Sequence, residues 1–129
     1  MKPKIATGAL TKVADPFYQK PKTYPYADRE RLPISVVLSA IETRAWFTEQ
    51  FVVPLLEANQ PTEILVVDDP ELSVQQKRNA GLRMATQDYV FFCDDDTLLP
   101  AQHLRRFLMT LEDHVPSFAF AYSDYLAIV

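Results

Sequence analysis

The sequence YVFFCDDD at residues 89–96 is an apolar run that ends abruptly in three consecutive aspartates. Residues 63–69, EILVVDD, show the same change from an apolar run to acidic residues. Short continuous runs of β-branched and aromatic residues are typical of strands that are buried on both faces of a sheet. Each stretch therefore predicts a buried strand with carboxylates directly after its end.

Strand and helix patterns alternate along the chain around these two runs. Residues 34–38, ISVVL, predict a further buried strand, and residues 118–129 are interpreted as a last one. Continuous apolar strands joined by helices indicate an α/β fold, with a mostly parallel sheet covered by helices on both faces.

Three helices are predicted between these strands from apolar residues at helical spacing. The first follows Ala40 and is expected to place Trp46 and Phe51 in the core, with Pro54 kinking or splitting it. The others are expected from about Val74 to Ala85, with Ser73 as the N-cap, and from Pro100 onward.

The ends of the predicted strands are expected to meet at one edge of the sheet. Crossover connections between parallel strands are right-handed, so the ends of consecutive strands lie at the same edge of the sheet. Open α/β sheets bind ligands at the carboxyl ends of their strands. This edge, the carboxyl rim, is predicted to gather Ser39, Asp68, Asp69, Asp94, Asp95 and Asp96.

So many carboxylates at one edge predict a bound cation. Two carboxylates about 4 Å apart repel each other by roughly 4 kcal/mol at an effective dielectric near 20. A divalent ion or protonation of one group would relieve this repulsion, and ligands that are all oxygen suit Mg²⁺ or Mn²⁺. The alternative interpretation is that the aspartates cap the following helices and face water.

Composition excludes several other classes of protein. The formal net charge of −4 argues against a general nucleic-acid binder, and 2 glycines cannot build a glycine-rich phosphate loop. The single cysteine, Cys93, excludes a disulfide framework and a multi-cysteine zinc site. Because no apolar run approaches the roughly 18 residues of a transmembrane span and no signal peptide is recognisable, a cytoplasmic protein is expected.

Charge divides the chain into two parts. Residues 1–32 contain seven Lys or Arg against three Asp or Glu, and they are interrupted by four prolines. They are interpreted as an irregular basic arm. Residues 33–129 contain six basic against fourteen acidic side chains and are predicted to form the folded domain.

The ordered set of motifs in this domain resembles family 2 glycosyltransferases. The set comprises the strand at 34–38, ILVVDD at 64–69, RNAGL at 78–82 and YVFFCDDDTLLP at 89–100, and the resemblance extends over about residues 33–124. It implies a GT-A (Rossmann-like) half-domain that binds a nucleotide-sugar donor through Mn²⁺ or Mg²⁺, held by an Asp-x-Asp motif, for glycosyl transfer to an unknown acceptor.

The resemblance also implies roles for individual residues. Donor contacts would come from Ser39, Ala40 and Glu42 after the first strand, Asp68 and Asp69 after the second, Arg78 in the next helix, and Asp94 and Asp95 after the third. The metal would be held by Asp94 and Asp96, with Asp95 as the competing choice to Asp96. Asp124 lies where the family often places a residue near the acceptor sugar.

This chain departs from the family pattern in three places. Ile41 stands where the family usually has a tyrosine that stacks on the base, Pro70 and Glu71 replace the usual Gly-Ser after the second strand's aspartate pair, and only about thirty residues follow Asp96. The acceptor half and the catalytic base are therefore expected to be missing. Three alternatives stay open: the chain is truncated, it is a non-catalytic GT-A-like scaffold that has lost transfer chemistry, or a homo-oligomer or partner subunit supplies the remainder. A phosphoacceptor receiver domain is disfavoured because it needs a late lysine and none follows Lys77.

Overall fold

The computed structural model describes residues 22–25 and 31–114. Its four strands are β1 (Lys22–Pro25), β2 (Leu32–Ser39), β3 (Pro61–Val67) and β4 (Tyr89–Asp94), in the spatial order β1-β3-β2-β4. Strand β2 is parallel to both β3 and β4, and β1 is antiparallel to β3. This arrangement confirms the predicted α/β fold with a mostly parallel sheet, consistent with a GT-A half-domain.

Strand β1 lies inside the segment that the sequence presented as an irregular arm. Its backbone pairs with β3 from Lys22 opposite Val66 to Pro25 opposite Glu63. An edge strand tolerates proline because one side of its backbone needs no partner in the sheet. Part of the basic arm therefore joins the sheet.

The helical segment after β2 is divided into four short elements. A 3-10 turn (Glu42–Arg44) leads into α1 (Ala45–Phe47), a π-helical turn (Thr48–Val52) and α2 (Val53–Ala58). Pro54 lies in the first turn of α2 and has no N–H to donate to the preceding turn. The break expected at this proline is confirmed, and the chain accommodates it with the π-helical turn.

The other two helices match their predicted positions. Helix α3 (Val74–Met84) begins at Ser73, whose side chain and that of Gln76 form a reciprocal capping box. Helix α4 (His103–His114) follows Pro100. Among the helices of the described part of the chain, none is long and apolar enough to cross a membrane.

Helices cover both faces of the sheet. Alternate residues of β2 pack on opposite sides: Val36 and Leu38 contact the cluster that includes Leu56 and Leu104, whereas Val37 packs with Leu65 and its neighbours. The first helical segment and α4 therefore cover one face, and α3 covers the other.

The predicted burial of Trp46, of Phe51 and of strand β4 needs correction. Trp46 and Phe51 are exposed, because the divided first helix turns these rings outward, where they contact each other edge to face. Strand β4 is only partly buried, and Phe92 is exposed, because β4 is the edge strand of the described sheet. The strand predicted at residues 118–129 and Asp124 lie outside the described residues.

Gly81 explains how closely α3 approaches the sheet. A Cβ atom at this position would lie 2.2 Å from Cγ1 of Val37 in β2. The glycine is thus required by helix-to-sheet packing, which keeps the start of α3 near the ends of the strands.

Candidate functional site

The three parallel strands end level with one another. Ser39, the last residue of β2, pairs with Val67 on one side and with Asp94 on the other. Because strands are spaced about 4.8 Å apart, the ends of β3 and β4 lie about 10 Å from each other across β2. Asp68 and Asp69 thus lie at the same edge as residues 94–96, as predicted for the carboxyl rim.

Residues 94–96 do not all face the same way. The side chains of Asp94 and Asp96 are exposed, whereas Asp95 between them is 2% exposed. This alternation separates two carboxylates that solvent reaches from one that the protein encloses.

Asp95 is fully engaged by the chain that follows β2. Its Oδ2 accepts a hydrogen bond from the backbone N–H of Ile41 at 2.9 Å. Its Oδ1 accepts from Arg44, at 3.2 Å from Nε and 2.8 Å from Nη2. The hydrogen bond to Asp95 raises the pKa of the Arg44 guanidinium above its usual value. The buried carboxylate is therefore matched by three donors and a positive charge.

The residues from Ser39 to Arg44, named the rim loop, are fixed at several backbone atoms. The Ala40 N–H donates to the Val67 carbonyl at 3.0 Å, and the Asp95 N–H donates to the Ser39 carbonyl at 3.1 Å. Ser39 and Ala40 are buried, whereas Glu42 is exposed. Among the residues of this loop predicted to contact a donor, Glu42 is the one whose side chain faces solvent.

Lys77 supplies a further support for the rim loop. It is 4% exposed, and its Nζ donates to the Ala40 carbonyl at 2.7 Å. The position could have been recognised from the sequence, because Lys77, Ala80 and Gly81 share the buried stripe of α3 at i, i+3 and i+4 spacing. Sequence reasoning also missed Arg44 as the partner of Asp95.

The two aspartates after β3 have different environments. Asp69 is buried, and its Oδ1 accepts from the Glu71 N–H at 2.9 Å, so it stabilises the turn that follows. Asp68 is exposed and borders a shallow pocket of about 20 Å³. The other residues that line this pocket are Ala40, Ile41, Ala45, Thr48, Glu49, Val53 and Val66.

The guanidinium of Arg78 lies beside the exposed carboxylate of Asp94 at the end of β4. Nη2 of Arg78 on α3 is 3.6 Å from Oδ1 of Asp94, and both side chains are partly solvent-exposed. The structure therefore brings Arg78 and Asp94 together, as expected for two residues of one site.

The donor set of the rim suits a hard divalent ion. Asp94 and Asp96 offer carboxylate oxygens, which Mg²⁺ and Mn²⁺ prefer. Burial, followed by the charges of Asp94 and Asp96, raises the pKa of the neighbouring Cys93 thiol to about 12, so this sulfur stays protonated at neutral pH. Within residues 31–114, no three His, Cys, Asp or Glu side chains are grouped as a ready metal site.

Residues 71–125 match the model of the family described as Glycosyl transferase family 2. This match confirms the resemblance to family 2 glycosyltransferases. It begins just after Asp69, includes Arg78 and residues 94–96, and continues past the end of the described residues. No curated protein and no solved structure matches the chain.

Proposed function

We propose that this family 2 glycosyltransferase-like chain binds a nucleotide-sugar donor at its carboxyl rim. The observation that carries the proposal is the alternation at residues 94–96 inside the family match: Asp94 and Asp96 face solvent while Asp95 is buried and paired. Two exposed carboxylates at the carboxyl end of a parallel strand of an open α/β fold lie where such sheets bind ligands.

Asp94 and Asp96 would hold Mg²⁺ or Mn²⁺ in this proposal. Arg78, already within 3.6 Å of Asp94, would lie near the diphosphate and add a positive charge. When bound, the divalent ion would offset the negative charge of the nucleoside diphosphate leaving group.

The remaining rim residues would shape the donor site. Asp68 and Glu42 are exposed and could accept hydrogen bonds from the nucleoside, whereas Asp69 stabilises the turn beside Asp68. Ser39 and Ala40 would contribute through the backbone of the rim loop, since their side chains are buried. We assign donor binding to these residues.

A thermal-shift titration tests donor binding. The full chain is heated with MnCl₂ alone, and with MnCl₂ plus each of the common nucleoside diphosphates in turn. A diphosphate present at 100 times its dissociation constant should add about 2.7 kcal/mol of stability and raise the Tm. A chain that responds to none of them would overturn the proposal and favour the non-catalytic scaffold.

Matched variants test the assignment of the carboxylates. Asp94→Asn and Asp96→Asn should each strongly raise the MnCl₂ concentration that the Tm shift requires, whereas Glu112→Gln, an exposed acid on α4, should leave it unchanged. If neither rim substitution raises this concentration, Asp94 and Asp96 do not hold the ion.

A further inference from the structure

Asp95 joins two parts of the carboxyl rim that are far apart in the sequence. Its oxygens accept from Ile41 N–H and from Arg44, and its own N–H donates to the Ser39 carbonyl. Every one of these partners belongs to the rim loop. The middle aspartate of residues 94–96 thus fixes the loop that, under the proposed function, lies against the donor.

The geometry argues against Asp95 as a metal ligand. Both of its oxygens are already occupied at 2.8 to 3.2 Å, and its side chain is 3% exposed. Binding an ion there would require the residues that enclose this carboxylate to move aside. Asp94 and Asp96, which solvent reaches, need no such rearrangement.

The contact with Ile41 sets the backbone at an exposed position. The Ile41 side chain is 39% exposed and stands on the rim, yet its amide is bound by a buried carboxylate. Lys77 holds the carbonyl of the preceding residue, Ala40, at 2.7 Å. The peptide between Ala40 and Ile41 is therefore fixed at both its oxygen and its nitrogen.

We propose that Asp95 is a positioning residue, which holds the rim loop through Ile41 and Arg44 in the form that binds the donor and does not itself ligate the ion. This inference rests on the proposed function. It predicts that loss of the Asp95–Arg44 pair weakens nucleotide binding while the dependence on Mn²⁺ concentration stays as in the wild type.

The test measures nucleotide affinity in the full chain by isothermal titration calorimetry, with the diphosphate that raises the Tm. Asp95→Asn and Arg44→Ala should each weaken binding about tenfold at saturating MnCl₂, the scale typical of lost supporting contacts. The double variant should bind the diphosphate no more weakly than Asp95→Asn alone, because both changes remove the same interaction. Arg44→Lys should recover part of the affinity, since it restores the positive charge.

Two further readouts separate positioning from metal binding and from general stability. With the diphosphate saturating for each variant, the MnCl₂ concentration that gives half of the maximal Tm shift should be unchanged in Asp95→Asn and strongly raised in Asp96→Asn. By NMR, the Ile41 amide should exchange with solvent faster in Asp95→Asn, while amides in β2 keep their protection. Glu57 forms an ion pair with Arg31 at a position away from the rim. Glu57→Gln removes this ion pair and should leave nucleotide affinity unchanged.

The results that would contradict this inference differ from those that would contradict the proposed function. If Asp95→Asn raises the required MnCl₂ concentration as Asp96→Asn does, Asp95 is a ligand and the inference is wrong. Unchanged nucleotide affinity in Asp95→Asn, or an equal loss in Glu57→Gln, would also overturn it. A wild-type chain that binds no nucleotide overturns the proposed function, and this inference with it.

Discussion

At the amino edge of the sheet, where the parallel strands begin, Glu63 is buried and accepts hydrogen bonds from the backbone N–H and the hydroxyl of Thr86. Ser35 beside it accepts from the N–H groups of Thr86 and Gln87 at 3.2 and 3.1 Å. At the carboxyl rim, Asp95 is equally buried and is matched by Arg44 and the Ile41 N–H. Each edge therefore uses a buried carboxylate to attach a loop to the sheet.

The edges differ in what surrounds that carboxylate. Glu63 lies among neutral donors from a single loop, and its hydrogen bonds only attach that loop. Asp95 has exposed carboxylates on both sides, at Asp94 and Asp96. Carboxylates grouped at one edge repel each other, and Arg78 offsets this repulsion only at Asp94. A structural role explains Asp95 but not its exposed neighbours. The excess charge at the rim, rather than the buried aspartate, therefore marks the candidate site.

Glu63→Ala should have the largest effect, because it removes the acceptor of the Thr86 hydroxyl and one of the two acceptors of the Thr86 N–H, and it opens a cavity. We expect the free energy of unfolding to fall by about 3 kcal/mol, measured by urea denaturation. Glu71→Ala, an exposed acid, should change it by less than about 0.5 kcal/mol. A loss as small as that of Glu71→Ala would show that the amino edge does not depend on this carboxylate.

Gly81→Ala tests the packing between the two edges. Alanine favours a helix by about 1 kcal/mol over glycine, but its Cβ would overlap Val37, at a cost of about 1 to 3 kcal/mol. We expect a net loss of up to about 2 kcal/mol. The double variant Gly81→Ala with Val37→Ala should show a smaller penalty for the added methyl group. A more stable Gly81→Ala chain would mean that α3 can move away from the sheet.

Cys93 links the buried core to the charged rim and should make stability depend on pH. Its thiol pKa is raised from 9.0 to about 12 in the folded chain, mainly by burial. Because the unfolded thiol ionises first, its contribution is complete below pH 9 and is lost as pH rises towards 12. Between pH 7 and pH 10, wild type should lose about 1 to 2 kcal/mol relative to Cys93→Ala, measured by urea denaturation. Parallel pH profiles of the two chains would contradict this expectation.

Asp96→Asn should have the smallest effect on stability. It removes an exposed charge from a repulsive group, so the Tm in low salt should stay the same or rise slightly, within about 0.5 kcal/mol of unfolding free energy. Added NaCl should reduce the difference from wild type, because salt screens exposed charges. A marked loss of stability would show that Asp96, like Asp95, is part of the structure.

The elements of the fold could be predicted because their signals are local. The apolar run at residues 34–38 corresponds to the centre of β2, and Ser73 begins α3 as its cap. Both patterns depend on residues within a few positions of each other. The break at Pro54 followed from the missing N–H of proline, but the π-helical turn before it depends on how the segment packs.

The sequence by itself determined the class of the sheet, the edge at which the aspartates gather and the residues that resemble a known family. Only the tertiary structure decided which aspartate faces inward, because Asp95 and its partners Ile41 and Arg44 are about fifty positions apart. The same holds for Lys77 and for Asn59, a buried residue whose side chain binds both Pro100 and Leu104. Periodicity records burial along one element, whereas the partner of a buried polar group depends on which distant segments the fold brings within hydrogen-bonding distance.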